Sequence, residues 1–389
     1  MTQTLALFVD AYRELNHRKL FWVTLGISGL IVIAFAAIGN DKEGLTIFHW
    51  SIPFPFVSTA FIPKADFYKF VFSALGVGFW LSWIASIIAL VSTASIFPDF
   101  VDRGSIDLML SKPIGRARLF LTKFATGLLF AAVQVTVFTV AAFLVIGIRG
   151  GDWEPWLLIA IPLVVVFYSY LFAVQAVIGL LTRSVIASVI GVMLFWMMIS
   201  LIQSGDTVTL AWRVTQEITV ERREARLETS SKRAAEFEAE RQDLSRKVAA
   251  GDDSLKEALA EATSESDIRA SRLINAKSEL DDEKDNLATA TLVNDWLHAA
   301  NTVLPKTGET IGLLERLLVK HAGLTMPDDG DTDDNVRQFG ALVGEREFNE
   351  RMGKALDESH SYVWILGTSL GFEALVLGFG VWRFSRRDF

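Results

Sequence analysis

The chain has 389 residues, 51% of them hydrophobic, and a formal net charge of −8. It contains no cysteine, which excludes a disulfide frame, thiol catalysis and cysteine metal sites. The apolar residues come in blocks, and the negative balance comes from one charged insert, so the net charge says nothing about partners.

At the start, Leu5, Phe8, Val9, Tyr12 and Leu15 fall on one helical face, while Asp10, Arg13, Glu14 and His17 fall largely on another. This pattern predicts an amphipathic helix over 1–19 that lies at a membrane interface, not a cleavable leader. Six apolar blocks follow, near Leu20–Gly39, Val71–Ile96, Leu119–Ile148, Trp156–Leu181, Val185–Gln203 and Tyr362–Arg383. Each is long enough to cross a bilayer, and only helices satisfy every backbone group there without a closed barrel. The expected class is therefore an all-α polytopic membrane protein with six transmembrane helices, the first five within 20–203 and the last within 362–389.

Loop charge sets the orientation. With the N-terminus inside, the cytoplasmic side receives Arg13, Arg18, Lys19, Arg103, Lys112, Arg116, Arg118, Lys123, Arg183, Arg383, Arg386 and Arg387. The short outer loops receive Lys42, Lys64, Lys69 and Arg149. Both termini are then cytoplasmic, residues 204–361 are extracytoplasmic, and the expected location is the plasma membrane, specifically a bacterial inner membrane. The first outer loop, Asn40–Lys69, is rich in aromatics and proline, and reads as a loop or short hairpin resting on the outer leaflet with a structural role.

The insert changes character at residue 213. Leu259, Leu273, Leu280 and Leu287 keep a seven-residue spacing, with Ser266 in the gap. Val220, Leu227, Ala234 and Val248 do the same, joined by Phe237 and Leu244. A Gly turn within Ala249–Ser254 divides the two runs. The pattern predicts an antiparallel coiled-coil hairpin within 204–290, with arms of about 36 residues and ~54 Å. Arg223, Ser230, Arg241 and Arg269 dilute its seam, which points to a marginal hairpin that docks an extracytoplasmic protein through 213–290 or serves as a solvated spacer. Within 291–361, Leu292–Leu304 and Thr310–Leu324 are apolar on one face and too short to span, so they read as interfacial or re-entrant helices around the turn Leu304–Gly308. The run Asp328–Asn335 lacks the glycine position and closing glutamate of a calcium loop and reads as a solvated acidic loop.

No phosphate-cradling G-x-x-x-x-G-K-[ST] loop and no H-E-x-x-H motif is present, and the five histidines are scattered. Catalysis by this chain alone is not expected, no metal or other cofactor is expected, and any ATP would be bound by a partner subunit. Nucleic-acid binding is disfavoured, because the basic residues are juxtamembrane or balanced by acids. Within the spans the polar residues singled out are Gln134, Gln175 and Glu373. A charge near mid-bilayer costs about 2.5–3.5 kcal/mol, so Glu373 should face protein or a water-filled path. It is either a substrate or proton contact, or a protonated or hydrogen-bonded carboxyl that locks helices or a dimer seam.

The segment between the second and third blocks is dense in charge and turn residues. It carries Asp102, Gly104, Ile106, Asp107, Leu108, Leu110, Ser111, Pro113, Arg116 and Lys123 in that order. An acidic residue, a Gly, a Leu-rich turn, Ser-x-Pro-x-x-Arg and a Lys opening the next span resemble the coupling region of type-2 ATP-binding-cassette permeases, the exporter family. The basic end Arg383–Phe389 resembles that family's C-terminus. The resemblance covers about 230 residues, the membrane portion of the chain, and the large insert between the last two spans departs from the family.

The resemblance implies a permease without a nucleotide site of its own. It would dock a cytoplasmic ABC ATPase under residues 99–118 and work as a homodimer or beside a paralogue. Asp102 and Asp107 would meet basic partner residues, Leu108 and Leu110 would seat in a partner groove, and Pro113 would stop a short helix. Arg116, Arg118 and Lys123 can also hold membrane lipid phosphates. The alternative is an envelope scaffold or mechanotransmitter that passes ATP-driven motion to the outer hairpin without transport.

Overall fold

The computed structural model describes residues 19–48, 50–53, 58–59, 62–101, 115–250, 252–324 and 343–386. The described residues are mostly helical. In chain order they form α1 (Lys19–Ala37), β1 (Ile38–Asp41), β2 (Gly44–Ile47), β3 (Trp50–Pro53), α2 (Lys64–Phe100), α3 (Arg116–Gly150), α4 (Pro155–Thr182), α5 (Val185–Ala249), α6 (Lys256–Val303), α7 (Thr307–Ala322), α8 (Glu345–Ser359) and α9 (Tyr362–Ser385). Six of the helices, α1 to α5 and α9, are long and apolar enough to cross a membrane. They are compatible with an integral membrane protein. The expected amphipathic helix before α1 and the acidic run 328–335 lie outside the described residues.

The chain divides into two compact units: Met1–Gln203 with Asn301–Asp331 and His360–Phe389, and Ser204–Ala300 with Thr332–Ser359. In the first unit α3 packs on α1, α4 and α9, and α4 also packs on α7 and α9. One apolar cluster gathers Phe97, Phe100, Phe120, Phe124, Phe172 and Phe384, and a second gathers Phe72, Trp80, Ile146, Leu157, Leu313, Leu314 and Leu318. Gly127 is required where α3 meets α4, because a Cβ there would lie 2.2 Å from the Phe172 ring. The middle of α2, Phe72–Ala85, is wound as a π-helix, and the hydroxyls of Ser82 and Ser86 donate five residues back to the carbonyls of Val77 and Leu81.

The aromatic stretch after α1 forms an antiparallel sheet in the order β1-β2-β3. Ile38 pairs with Ile47 and Leu45 with Ile52, which fixes the register. The sheet is fastened at β1: Tyr68 Oη donates to Ile38 O at 2.8 Å, and Asn40 Nδ2 donates to Ile62 O at 2.8 Å.

In the second unit α5 and α6 run antiparallel, since their cross-helix bonds join rising numbers on one to falling numbers on the other. Asn294 Nδ2 reaches Asp206 at 3.4 Å, Arg223 reaches Glu279 at 2.7 Å, and Ser266 Oγ donates to Glu238 at 2.9 Å. The less exposed residues of α6 include 259, 262, 266, 269, 273, 276, 280, 283, 287, 290, 294 and 297, spaced alternately by three and four. The residues expected to weaken this seam are bonded: Arg223 also meets Glu283, and the Arg269 guanidinium lies 3.9 Å above the Phe237 ring. Ser230, expected in the seam, is exposed. α6 does not stop near 290. It continues to Val303, because no helix breaker precedes Pro305, so Leu292–Val303 is its last part and not a separate short helix. α8 closes this unit's core by setting Phe348 and Met352 against Leu210, Ala211, Val214 and Ile218 of α5.

Candidate functional site

Two regions of the first unit concentrate chemistry. The first surrounds the charged segment singled out in the sequence. Asp102, Gly104, Asp107, Leu108, Leu110, Ser111 and Pro113 lie outside the described residues, and Arg116 is described. What is described is how the segment is mounted. Its leading stem is the end of α2, where Phe97 and Phe100 are buried. The Phe97 ring lies 5.0 Å from that of Phe120 on α3, and Phe100 lies 5.1 Å from Phe384 on α9. Pro98 fits against Gly179 of α4, where a Cβ would meet the proline ring at 3.0 Å. The trailing stem opens α3, and Arg116 Nη1 donates to Ser385 O at the end of α9, 3.0 Å away. Arg118 and Lys123 continue along α3 within the described residues. Both stems are thus seated in one aromatic cluster shared by α2, α3, α4 and α9.

The second region is the turn between α6 and α7. Proline at 305 ends α6, and the chain folds back into an apolar surround. Lys306 is fully buried. Its Nζ donates to the carbonyls of Thr302 and Leu304, both at 2.7 Å, and stands 4.6 Å above the Trp364 ring of α9. Trp364 is held in turn, because its Nε1 donates to Thr302 Oγ1 at 3.2 Å. The Lys306 backbone N–H donates to Ser369 Oγ at 2.8 Å. From the other side Gln203, at the end of α5's share of this unit, accepts from Thr307 Oγ1 and Gly308 N, both at 3.2 Å, and donates to Pro305 O at 2.9 Å. A turn that carries a lysine is therefore satisfied by side chains of α5 and α9 in a place where unpaired polar groups are costly. Beyond it, Leu313, Leu314 and Leu318 bury α7 against α2, α4 and α9. Lys69, also buried, ties the far end of α7 by bonding Ala322 O at 3.3 Å and Asp152 at 2.6 Å.

The three polar candidates of the long apolar helices do not converge. Gln134 donates to Phe21 O at 3.3 Å, joining α3 to α1, and Gln175 donates to Leu90 O at 2.8 Å, joining α4 to α2. Glu373 accepts from Ser169 Oγ at 2.8 Å, joining α9 to α4. Each bridges a different helix pair. In the sequence Glu373 stands out by its charge, and Lys306 does not. The available signal was a lysine beside proline, between two apolar runs.

The second unit holds a half-open cavity of about 350 Å³ between α5, α6 and α8, where Asp206 and Asn294 are buried and Arg213 is bonded to Glu217 at 2.9 Å. Farther along the hairpin, hydrogen bonds from Arg241, Ser266 and Gln242 hold the Glu238 carboxyl down to about 2. The hydrogen bond from Arg222 on α5 lowers Glu347 on α8, and Glu221 raises Arg351 in the same way.

A protein family described as "Protein of unknown function (DUF2705)" matches residues 29–206, a little under half of the chain. The match runs from within α1 to the point where α5 enters the second unit. No curated protein and no solved structure matches the chain.

Proposed function

We propose that this chain is the membrane subunit of an ATP-driven exporter of the type-2 ABC permease kind. In this reading six helices span the membrane, both ends are cytoplasmic, and residues 204–361 lie outside. A separate ATPase docks under Asp102–Arg116, and a second copy or a paralogue completes the transporter, because a symmetric ATPase dimer offers two docking grooves. The observation that carries the reading is the mounting of the charged segment. Its stems share one buried aromatic cluster with α2, α3, α4 and α9, so a push on the segment reaches four helices at once. Two further features support it. The three-and-four spacing of less exposed residues suits an antiparallel coiled-coil hairpin. The turn at Lys306 meets Ser369, about 10 Å along α9 from Tyr362, which suits α7 as a re-entrant helix.

The test is co-purification. Asp102→Lys and Asp107→Lys are expected to reduce recovery of the ATPase that accompanies the wild-type chain from native membranes. If recovery is untouched by both changes and by deletion of Gly104–Arg116, the coupling reading is wrong.

The hairpin favours a second reading, an envelope scaffold or mechanotransmitter driven by the same ATPase. Its arms are bonded across their length at 206–294, 223–279 and 238–266, which suits a lever more than a gate.

A further inference from the structure

The sheet after α1 has two unlike faces. In the observed register Ile38, Leu45, Ile47, Trp50 and Ile52 share one face with Asn40, while Asp41, Thr46 and Ser51 lie on the other. At the β1 end the apolar face rests on the helices: Ile38 and Leu45 pack against the buried cluster around Phe67 and Tyr68. At the β3 end the same face is exposed. Trp50 is 79% exposed and Ile52 is 44% exposed. Phe48, in the connecting turn, is 67% exposed. At the β1 end both faces meet the helices, since a Cβ at Gly39 on the other face would lie 3.0 Å from Tyr68 Oη, and the β3 end of the apolar face overhangs them.

The overhang is held in place. The Phe48 backbone N–H donates to Ala37 O at 2.8 Å, so the turn caps the end of α1, and Phe48 accepts a left-handed φ of 54° to do so. Tyr68 Oη, which bonds Ile38 O, also accepts from Arg149 Nε at 3.2 Å near the end of α3. The sheet is thus fixed at the level where α1 and α3 end. The surface of α1 just before that level exposes Leu30 and Ile33.

We infer that the overhanging half of this sheet is a lipid-binding surface, with Trp50 and Ile52 seated in the headgroup boundary of the outer leaflet beside the end of α1. Depth follows from hydrogen bonding. Among the described residues β3 is an edge strand, and an open edge is not tolerated in hydrocarbon but is satisfied by water and headgroups. Tryptophan prefers that same layer. A soluble partner protein would instead meet the polar face, where Ser51 Oγ donates to Glu43 at 3.0 Å. The inference rests on α1 being a span.

The absence of cysteine allows a clean test. Single Trp50→Cys, Ser51→Cys and Ile52→Cys variants of the full chain are spin-labelled in phosphatidylcholine–phosphatidylglycerol vesicles, with Ile33→Cys as the control for the span. All three sheet positions are exposed, so the fold is not at risk. Labels at 50 and 52 should collide more with oxygen than with a water-soluble nickel chelate, and the label at 51 should show the reverse. If 50 and 52 favour the chelate as 51 does, or are shielded from both reagents, the surface does not bind lipid. If Ile33 itself fails to favour oxygen, the membrane reading of α1 fails instead, and the inference falls with it.

Discussion

At the scale of single residues, Lys306 is the side chain whose loss should be felt most. Replacing it with methionine keeps the bulk but leaves the carbonyls of Thr302 and Leu304 unsatisfied in a buried site, at about 1–3 kcal/mol each. The ammonium's place over Trp364 adds up to about 2 kcal/mol. Lys306→Met should lower the thermal midpoint of the detergent-solubilised chain more than Trp364→Leu does, because the tryptophan variant keeps both carbonyl bonds. An equal or smaller loss would mean the carbonyl bonds contribute little. Glu373 was legible because a charge in an apolar block is conspicuous, and the structure supplies its partner in Ser169. Lys306 was not legible, because its burial depends on Gln203, Trp364 and Ser369, which lie far along the chain and give no local signal.

At the scale of elements, periodicity decided what could be read. The six apolar blocks stand out in the sequence because each exceeds the length of an ordinary buried helix; five lie within a helix of the structure, and the first, Leu20–Gly39, overruns α1 by two residues into β1. The arms α5 and α6 carried a seven-residue signal. α8 carried a weaker one, since only Phe348 and Met352 among its residues are large apolar groups buried in the core. In the sequence the sheet reads as a loop or short hairpin because its strands have four residues each and its pairing depends on distant anchors at Ile62 and Tyr68. In the hairpin, Glu238 stays ionised well below its ordinary range because Arg241, Ser266 and Gln242 bond its carboxylate. The folded value lies below the unfolded one, so the stabilisation is present above the ordinary value of 4.5 and is lost as pH falls toward about 2. Glu238→Gln should therefore raise hydrogen exchange in residues 230–270 at neutral pH, and its difference from wild type should close over that acid window. A difference that persists to pH 2 would assign the effect to packing and not to charge.

At the scale of the molecule, the question is whether the second unit is accessory or is the output. Deleting Arg213–Ala290 removes most of both hairpin arms. An exporter should keep basal ATPase activity coupled to flux in proteoliposomes, whereas a mechanotransmitter should retain ATP hydrolysis and lose every downstream effect. The buried turn also has a meaning for biosynthesis. Lys306 is translated 63 residues before the Ser369 that receives its backbone N–H, and Trp364, which covers its ammonium, is likewise still to come. While the chain is being made, the turn lacks both of these contacts. It can seat only after α9 has been made and has packed, so α9 acts as the closing step of assembly. Chains interrupted before it would display an unsheltered lysine turn that quality-control proteases can recognise.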